Sequence, residues 1–405
     1  MTDRPLKLVL MGTGPFAFPS FQQIARSHHT ILAVVTKPPV ENPSRDKAPP
    51  ESPILTWARQ AELQIVTPAS INDPSAIEWL TQLQADLLIV CDYGQILSKE
   101  ALATASLGGI NLHGSLLPRH RGAAPVQWSI LAGDPQAGVS VIHMTTKLDA
   151  GPVLQQRETP IQPDESADAL EARLSQLGVE PTMLAIETLA RGDEQAGIEQ
   201  APELTTKAPR LKKSDGQLDF RYPIAWIDRQ IRGLQPWPGV FGNLILSQDH
   251  SARVNSERAN SAQDNSAQDN SAQANSAQAN SERANSERAK SIRTVIHRAK
   301  PIAIDPAKIA RWGWTPGQVL WSDSALEASL VIEHPKQWVA VVAHDGLLVL
   351  EVLQLAGKSA MQAASFVSGY GKQKNLRFET PNNPHELLDK MMALGGQTLT
   401  QTSTQ

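Results

Sequence analysis

Leu6-Lys7-Leu8-Val9-Leu10-Met11-Gly12-Thr13-Gly14-Pro15-Phe16 opens the chain with an apolar, β-prone run that stops at a glycine turn. A helical segment is predicted from about Phe18 to Ala25, and Thr30–Val35 reads as a second buried strand. Strands buried on both faces lose the apolar–polar alternation of half-exposed ones and read as continuous apolar runs. The strand–turn–helix–strand order therefore predicts an α/β domain with a parallel sheet covered on both sides. Leu87–Cys91, Gly109–Leu112 and Val139–His143 are further strands of the same kind. Pro125 is placed to start a helix running to Leu131, with Gly133 as its stop. Gly12-Thr13-Gly14 after a first strand invites a dinucleotide-binding reading, which fails. The third glycine of that fingerprint is missing, and Pro15 and Phe16 occupy the turn.

The chemistry gathers further along, in Ile110-Asn111-Leu112-His113-Gly114-Ser115-Leu116-Leu117-Pro118 and the following Arg119-His120-Arg121-Gly122-Ala123-Ala124-Pro125. Residues i and i+2 of a strand point to one face, so Asn111 and His113 project together just before a loop. An amide donor and an imidazole aimed at one point suit acyl-group chemistry. The amide stabilises an oxyanion, and the imidazole assists it or manages a proton. Asp149, in Lys147-Leu148-Asp149-Ala150-Gly151-Pro152, supplies a carboxylate to orient the ring.

On these motifs the chain resembles the formyltransferases that use 10-formyltetrahydrofolate, and more narrowly those that act on methionyl-tRNA. The resemblance covers most of residues 6–380. It implies a Rossmann-like formyltransferase domain (1–204), a basic linker (205–213) and a β-barrel, OB-like C-terminal tRNA-binding domain (214–385). It implies transfer of a formyl group from 10-formyltetrahydrofolate, a co-substrate, to the α-amine of initiator methionyl-tRNA. Asn111, His113 and Asp149 take the catalytic roles, and Ser115, Leu116, Leu117 and Pro118 match the folate-contacting stretch. Arg45 and Lys47, in the Pro- and charge-rich loop 37–53, match the loop that reaches towards the acceptor end. Lys207, Arg210, Lys212 and Lys213 of the linker are expected to meet tRNA phosphates. Arg119 and Arg121 have two open roles, the folate glutamate tail or RNA phosphate. Gly14 stands before the proline as an extra residue relative to the family's turn. Two other readings compete: a related enzyme formylating glycinamide ribonucleotide or an amino sugar, and a catalytically inactive RNA-binding relic.

The remaining composition sets bounds. A formal net charge of −4 argues against a general nucleic-acid coat protein, whose affinity comes from phosphate neutralisation, while leaving room for a local basic patch. The single cysteine, Cys91, allows no intrachain disulfide and reads as a small buried hydrophobe. No metal-ligand cluster is visible, so no metal is expected. No segment reaches a membrane-spanning length, and a cytoplasmic monomer is expected. Beyond Gln235-Pro236-Trp237-Pro238-Gly239 the chain is β-rich, with strands at Gly317–Leu320, Trp338–Val342 and Leu347–Leu355, which favours a small antiparallel barrel. Asn-Ser recurs every five residues from Asn255 to Asn285, in units whose only apolar residue is Ala. Such a repeat buries too little to offset its ordering entropy, so residues 250–293 are expected to be a disordered insertion. Residues 386–405 are expected to be a flexible tail.

Overall fold

The structure, a computed structural model, describes residues 4–38, 51–192, 197–246, 290–321, 338–370, 376–381 and 386–401. Arg45 and Lys47 lie outside these residues, as does the repeat up to residue 289. The chain divides into two compact units: Met1–Lys212, Arg232–Pro236 and Lys390–Gln405 form one, and Lys213–Ile231 and Trp237–Asp389 the other.

In the first unit, strands β1 (Lys7–Met11), β2 (Thr30–Val35), β3 (Ile65–Val66), β4 (Leu87–Val90) and β5 (Gly109–His113) pair in parallel in the order β3-β2-β1-β4-β5. Helices α1 (Phe18–Ala25), α2 (Pro53–Gln60), α3 (Pro74–Leu83) and α4 (Lys99–Leu102) connect them. Each strand feeds two cores. On β1, Leu8 and Leu10 join a cluster with Phe21, Ile24, Ile54 and Trp57, while Val9 and Met11 join a second with Leu80, Tyr93 and Leu97. Burial on both faces explains the continuous apolar runs, each such side chain contributing about 1.5–3 kcal/mol.

After β5 come the short β6 (Arg121–Gly122) and α5 (Pro125–Ala132), which ends where Gly133 turns left-handed at φ +75°. Next are β7 (Gln136–His143), β8 (Val153–Pro160), α6 (Ala167–Leu177), α7 (Val179–Ala190) and β9 (Lys207–Ala208). Here the predicted parallel sheet needs a correction. β7 runs antiparallel to β5, and β8 antiparallel to β7. The chain turns back at the end of β5 and enters β7 from there, setting His113 opposite Ser140.

The second unit opens with α8 (Ile224–Gly233), whose last residues belong to the first unit. It continues through β10 (Val240–Leu246), β11 (Lys290–Ala303), α9 (Pro306–Arg311), β12 (Val319–Trp321), β13 (Val339–Ala343) and β14 (Gly346–Leu355). Then follow β15 (Met361–Gln362), α10 (Ala363–Tyr370), β16 (Arg377–Phe378) and α11 (Glu386–Gln401). The strands order as β12-β13-β14-β11-β10-β16, with antiparallel pairing. The two ends also meet: Gln318 bridges Arg377, and the Phe378 N–H donates to the Gly317 carbonyl at 2.8 Å. The result is a nearly closed barrel around Leu320, Val342, Leu347 and Val349, as expected for an OB-like domain.

Two expectations about irregular sequence change. Lys290–Arg293, the end of the presumed disordered insertion, is strand, because Ile292 pairs with Leu244. The presumed flexible tail begins as a helix, α11, in which Leu387, Leu388 and Met391 are buried. Among the described residues no helix is long and apolar enough to cross a membrane.

Candidate active site

Asn111 and His113 share a face at the end of β5, with Asn111 beside Val90 of β4 and Ile142 of β7. Both line a cavity of about 650 Å³, and Asp149 lines it from the Lys147–Gly151 turn. Three residues placed together from sequence are therefore brought together.

The imidazole is buried and its tautomer is fixed. The His120 carbonyl lies 3.0 Å from Nε2, and a carbonyl only accepts, so Nε2 carries a proton. Nδ1 then faces the Asp149 carboxylate, 3.8 Å from Oδ2. That same Oδ2 accepts the Gly122 N–H at 2.9 Å. Asp149 sits in the left-handed region at φ +51°. Its backbone is held by Gln200, whose Nε2 donates to the carbonyls of Asp149 (2.9 Å) and Gly151 (2.7 Å). Gln200 Oε1 accepts from Arg121 at 3.0 and 2.7 Å. Sequence reasoning missed Gln200. It is a positioning residue whose contacts lie 49 to 79 positions away along the chain, with no local signal.

The two arginines left open are held on the protein. Arg121 is bound by Gln200, and Arg119 pairs with Asp134 at 2.5 Å. The other oxygen of Asp134 lies 2.6 Å from His120 Nε2, so this pair fixes the segment whose carbonyl orients His113.

Ser115, Leu116, Leu117 and Pro118 do not line the cavity. The Ser115 hydroxyl donates to the Arg119 carbonyl at 2.7 Å, and the Ser140 hydroxyl caps the Ser115 carbonyl at 2.7 Å. Leu117 is buried, and Leu116 fills the space that a side chain at Gly138 would need. This stretch shapes the loop behind the site. The cavity wall comes instead from Asp92–Leu97 and from Ile142, Met144, Lys147 and Leu148.

The presumed linker is also a structural part of the first unit. β9 pairs with β6 in parallel, Arg121 opposite Lys207 and Gly122 opposite Ala208. Gly122, at φ +135°, leaves room for the Ala208 carbonyl, which a Cβ would meet at 2.4 Å. Trp128 donates to the Pro209 carbonyl at 2.9 Å. Lys207, Arg210, Lys212 and Lys213 remain exposed, and Arg210 also lines the cavity.

Burial pushes the Asp92 carboxyl up to about 6, with Lys37 opposing the shift. The Glu171 carboxyl is also raised, by burial and then by Asp92 and Asp168. The Cys91 thiol is held well above its ordinary range, chiefly by burial, and so stays protonated and inert. A raised carboxyl pKa makes the ionised form a burden on the fold above that pKa, and no burden below the unfolded value near 3.8. Asp92 is nonetheless exposed on the cavity wall, so solvent screens its charge, and Asp92→Asn is expected to stabilise the protein only modestly above pH 6, by about 1 kcal/mol or less. The gain should disappear at pH 4. Thermal unfolding at pH 8 and pH 4 checks it, and an equal shift at both would refute it.

One cluster has metal-ligand composition: His28, His29 and Glu187. The Leu6 N–H donates to His29 Nδ1 at 3.2 Å, so Nε2 carries the ring proton, with Glu187 Oε1 3.3 Å away. A protonated nitrogen has no lone pair for a metal. The cluster is read as a close polar contact between His29 and Glu187.

Comparison with known proteins identifies the family. The formyl transferase family profile matches residues 6–186, and the profile of the formyl transferase C-terminal domain matches residues 210–281. A methionyl-tRNA formyltransferase of Rhodopirellula baltica is 49% identical over 253 residues, covering 60% of this chain and 75% of its own. That of Parvibaculum lavamentivorans is 32% identical over 365 residues, covering 90% of this chain and 97% of its own. Among solved structures, WlaRD, a sugar 3N-formyl transferase, superposes with a TM-score of 0.52 at 14% identity. It covers 88% of this chain and all of its own. HypX from Aquifex aeolicus, solved with tetrahydrofolic acid, gives 0.51 at 13% identity over 91% of this chain and 47% of its own. At such identities these two show the fold alone. Fold and site together define a formyl transferase. Within that class, the chain belongs to the methionyl-tRNA formyltransferase family.

Proposed function

We propose that this chain transfers a formyl group from 10-formyltetrahydrofolate to the α-amine of initiator methionyl-tRNA, with Asn111, His113 and Asp149 as its catalytic residues. The observation that carries the reading is their convergence on one cavity from β5 and the Lys147–Gly151 turn. Its volume suits the ring system of a folate donor. Ile96 and Leu148 line it, and are large apolar side chains left 64% and 56% exposed, which an aromatic donor would cover.

An ordinary α-amine titrates at about 7.7–8.0, and the adjoining ester lowers this, so a neutral fraction exists near neutral pH. As that amine attacks, the formyl oxygen gains negative charge. The Asn111 side-chain amide donates to it from a preorganised position. His113 keeps Nε2–H on the His120 carbonyl, so Nδ1 is the atom that exchanges a proton, facing Asp149. Asp149 is kept in place by the Gly122 N–H and by Gln200. The departing folate nitrogen takes the proton that the amine gives up.

Arg210, exposed and on the cavity wall, is proposed to meet a phosphate at the tRNA end. Lys207, Lys212 and Lys213 extend the positive strip, and Arg45 and Lys47 are proposed to reach the acceptor end. Phosphate contacts position the substrate, and each steepens the salt dependence of binding. Replacing Lys207, Lys212 and Lys213 with Ala is expected to raise KM for charged tRNA and to flatten its log–log salt slope by roughly two to three. KM for the folate donor should not move. Unchanged tRNA constants at two salt concentrations would exclude these lysines from the RNA surface. A monomer is proposed, acting in the cytoplasm on charged initiator tRNA.

The deciding assay offers labelled formyl donor with charged initiator tRNA, glycinamide ribonucleotide, an amino-sugar nucleotide or no acceptor. Label should enter the tRNA alone. Comparable labelling of either small acceptor would overturn the reading.

A further inference from the structure

We propose that Asp92 is a further catalytic residue of this site: its carboxylate receives the α-ammonium of the methionyl ester and removes a proton, presenting neutral amine to the formyl carbon. The proposal rests on the formyl-transfer reading above. Asp92 follows β4, whose Val90 is in parallel register with Asn111. The paired register ends there, and Asp92 follows Val90 by two residues, as His113 follows Asn111. Asp92 lines the same cavity as Asn111, His113 and Asp149.

The local fold is arranged around this carboxylate. Asp92 is held left-handed at φ +48°, an uncommon conformation away from glycine that gathers at functional positions. Its carbonyl accepts the Thr13 N–H at 3.0 Å and the Gly14 N–H at 3.4 Å, which ties it to the turn after β1. A Cβ on Gly14 would lie 1.6 Å from Asp92 Oδ2. The glycine therefore provides the space the carboxylate occupies, which accounts for the additional Gly14 in that turn.

The charged and titratable groups around Asp92 are Lys37 after β2, Glu171 on α6 and the neighbouring Cys91, with Asp168 acting on Glu171. Lys37 and Glu171 line the cavity too. With its pKa raised to about 6, Asp92 is ionised at neutral pH. It is also a better match to an aminoacyl-ester ammonium than an ordinary aspartate, the condition for an efficient base.

The proton balance closes. An ammonium N–H bond breaks, the carboxylate gains the proton, and the freed lone pair forms the bond to the formyl carbon. After attack the nitrogen sheds a second proton, which passes by way of His113 to the folate nitrogen as the old C–N bond breaks. Asp92 then returns its proton to water.

The competing role is a structural counter-charge for Lys37. To separate the two, kcat/KM for charged initiator tRNA is measured from pH 5.5 to 8.5 at saturating folate donor, in the wild type and in Asp92→Asn. The variant should be at least tenfold slower at pH 6.5 and within about threefold at pH 8.5, where the amine is already neutral. A pH-independent ratio, or no loss at all, overturns the proposal. Gly14→Ala is then made in the wild-type and Asp92→Ala backgrounds. It should cost about tenfold at pH 6.5 in the first and less than twofold in the second. Equal losses in both backgrounds count against Gly14 serving Asp92. A wild type that does not formylate charged tRNA refutes the formyl-transfer reading itself, whereas formylation with parallel pH profiles removes only Asp92's part.

Discussion

Asn111→Ala is expected to lower kcat by about a hundred- to a thousandfold, the usual cost of losing one preorganised oxyanion donor. KM for either substrate should change little, because the interaction develops only as charge accumulates on the formyl oxygen. His113→Ala should cost at least as much, since it removes the proton-exchanging Nδ1 and leaves the Asp149 carboxylate only the Gly122 N–H. The two losses should not add. Groups acting on one oxyanion behave as a unit, so the double variant is expected to be close to the worse single one. Single-turnover formylation with purified, folded protein measures this directly. Near-normal turnover in either variant would remove the residue from the mechanism.

Gly151→Ala carries the second large effect. A Cβ there would stand 1.9 Å from the His143 carbonyl oxygen, a backbone atom at the end of β7 that cannot swing aside. The Asp149–Gly151 turn must shift, and with it the carboxylate facing His113. A displacement near 1 Å is enough to cost about a hundredfold in rate. Turnover should therefore fall by about that much even where the variant folds. Wild-type kcat in Gly151→Ala would show that the turn tolerates movement and that the placement of Asp149 is not critical.

What could be read in the sequence, and what could not, follows from the range over which each signal acts. β1, β2, β4 and β5 were legible because burial on both faces leaves an unbroken apolar run, and α5 because proline and glycine mark its ends. Asn111 and His113 were legible because two-residue spacing on a strand fixes a shared face. The turn of direction at β7 was hidden, since strand polarity depends on where the chain re-enters the sheet. Gln200 was hidden because its ties to Asp149, Gly151 and Arg121 are long-range and leave no periodic trace. Residues 205–213 read as a basic linker because charge on exposed Lys207, Lys212 and Lys213 is what a sequence displays. The pairing of Ala208 with Gly122 is backbone chemistry and carries no compositional mark. Ser115–Pro118 read as a ligand wall for a related reason. A serine and two leucines look alike whether they face a cavity or pack behind it.

The pairing of Leu246 with Lys290 gives the barrel an entry port for foreign sequence. The chain leaves β10 and returns to β11 at register partners, so the two ends stand side by side whatever joins them. Closing such a connection costs only about 0.6 kcal/mol for each doubling of its length. A small reporter domain with its own adjacent termini could be spliced between these two residues, giving a tagged enzyme in which the insertion lies within the second unit, outside the unit that holds the catalytic residues.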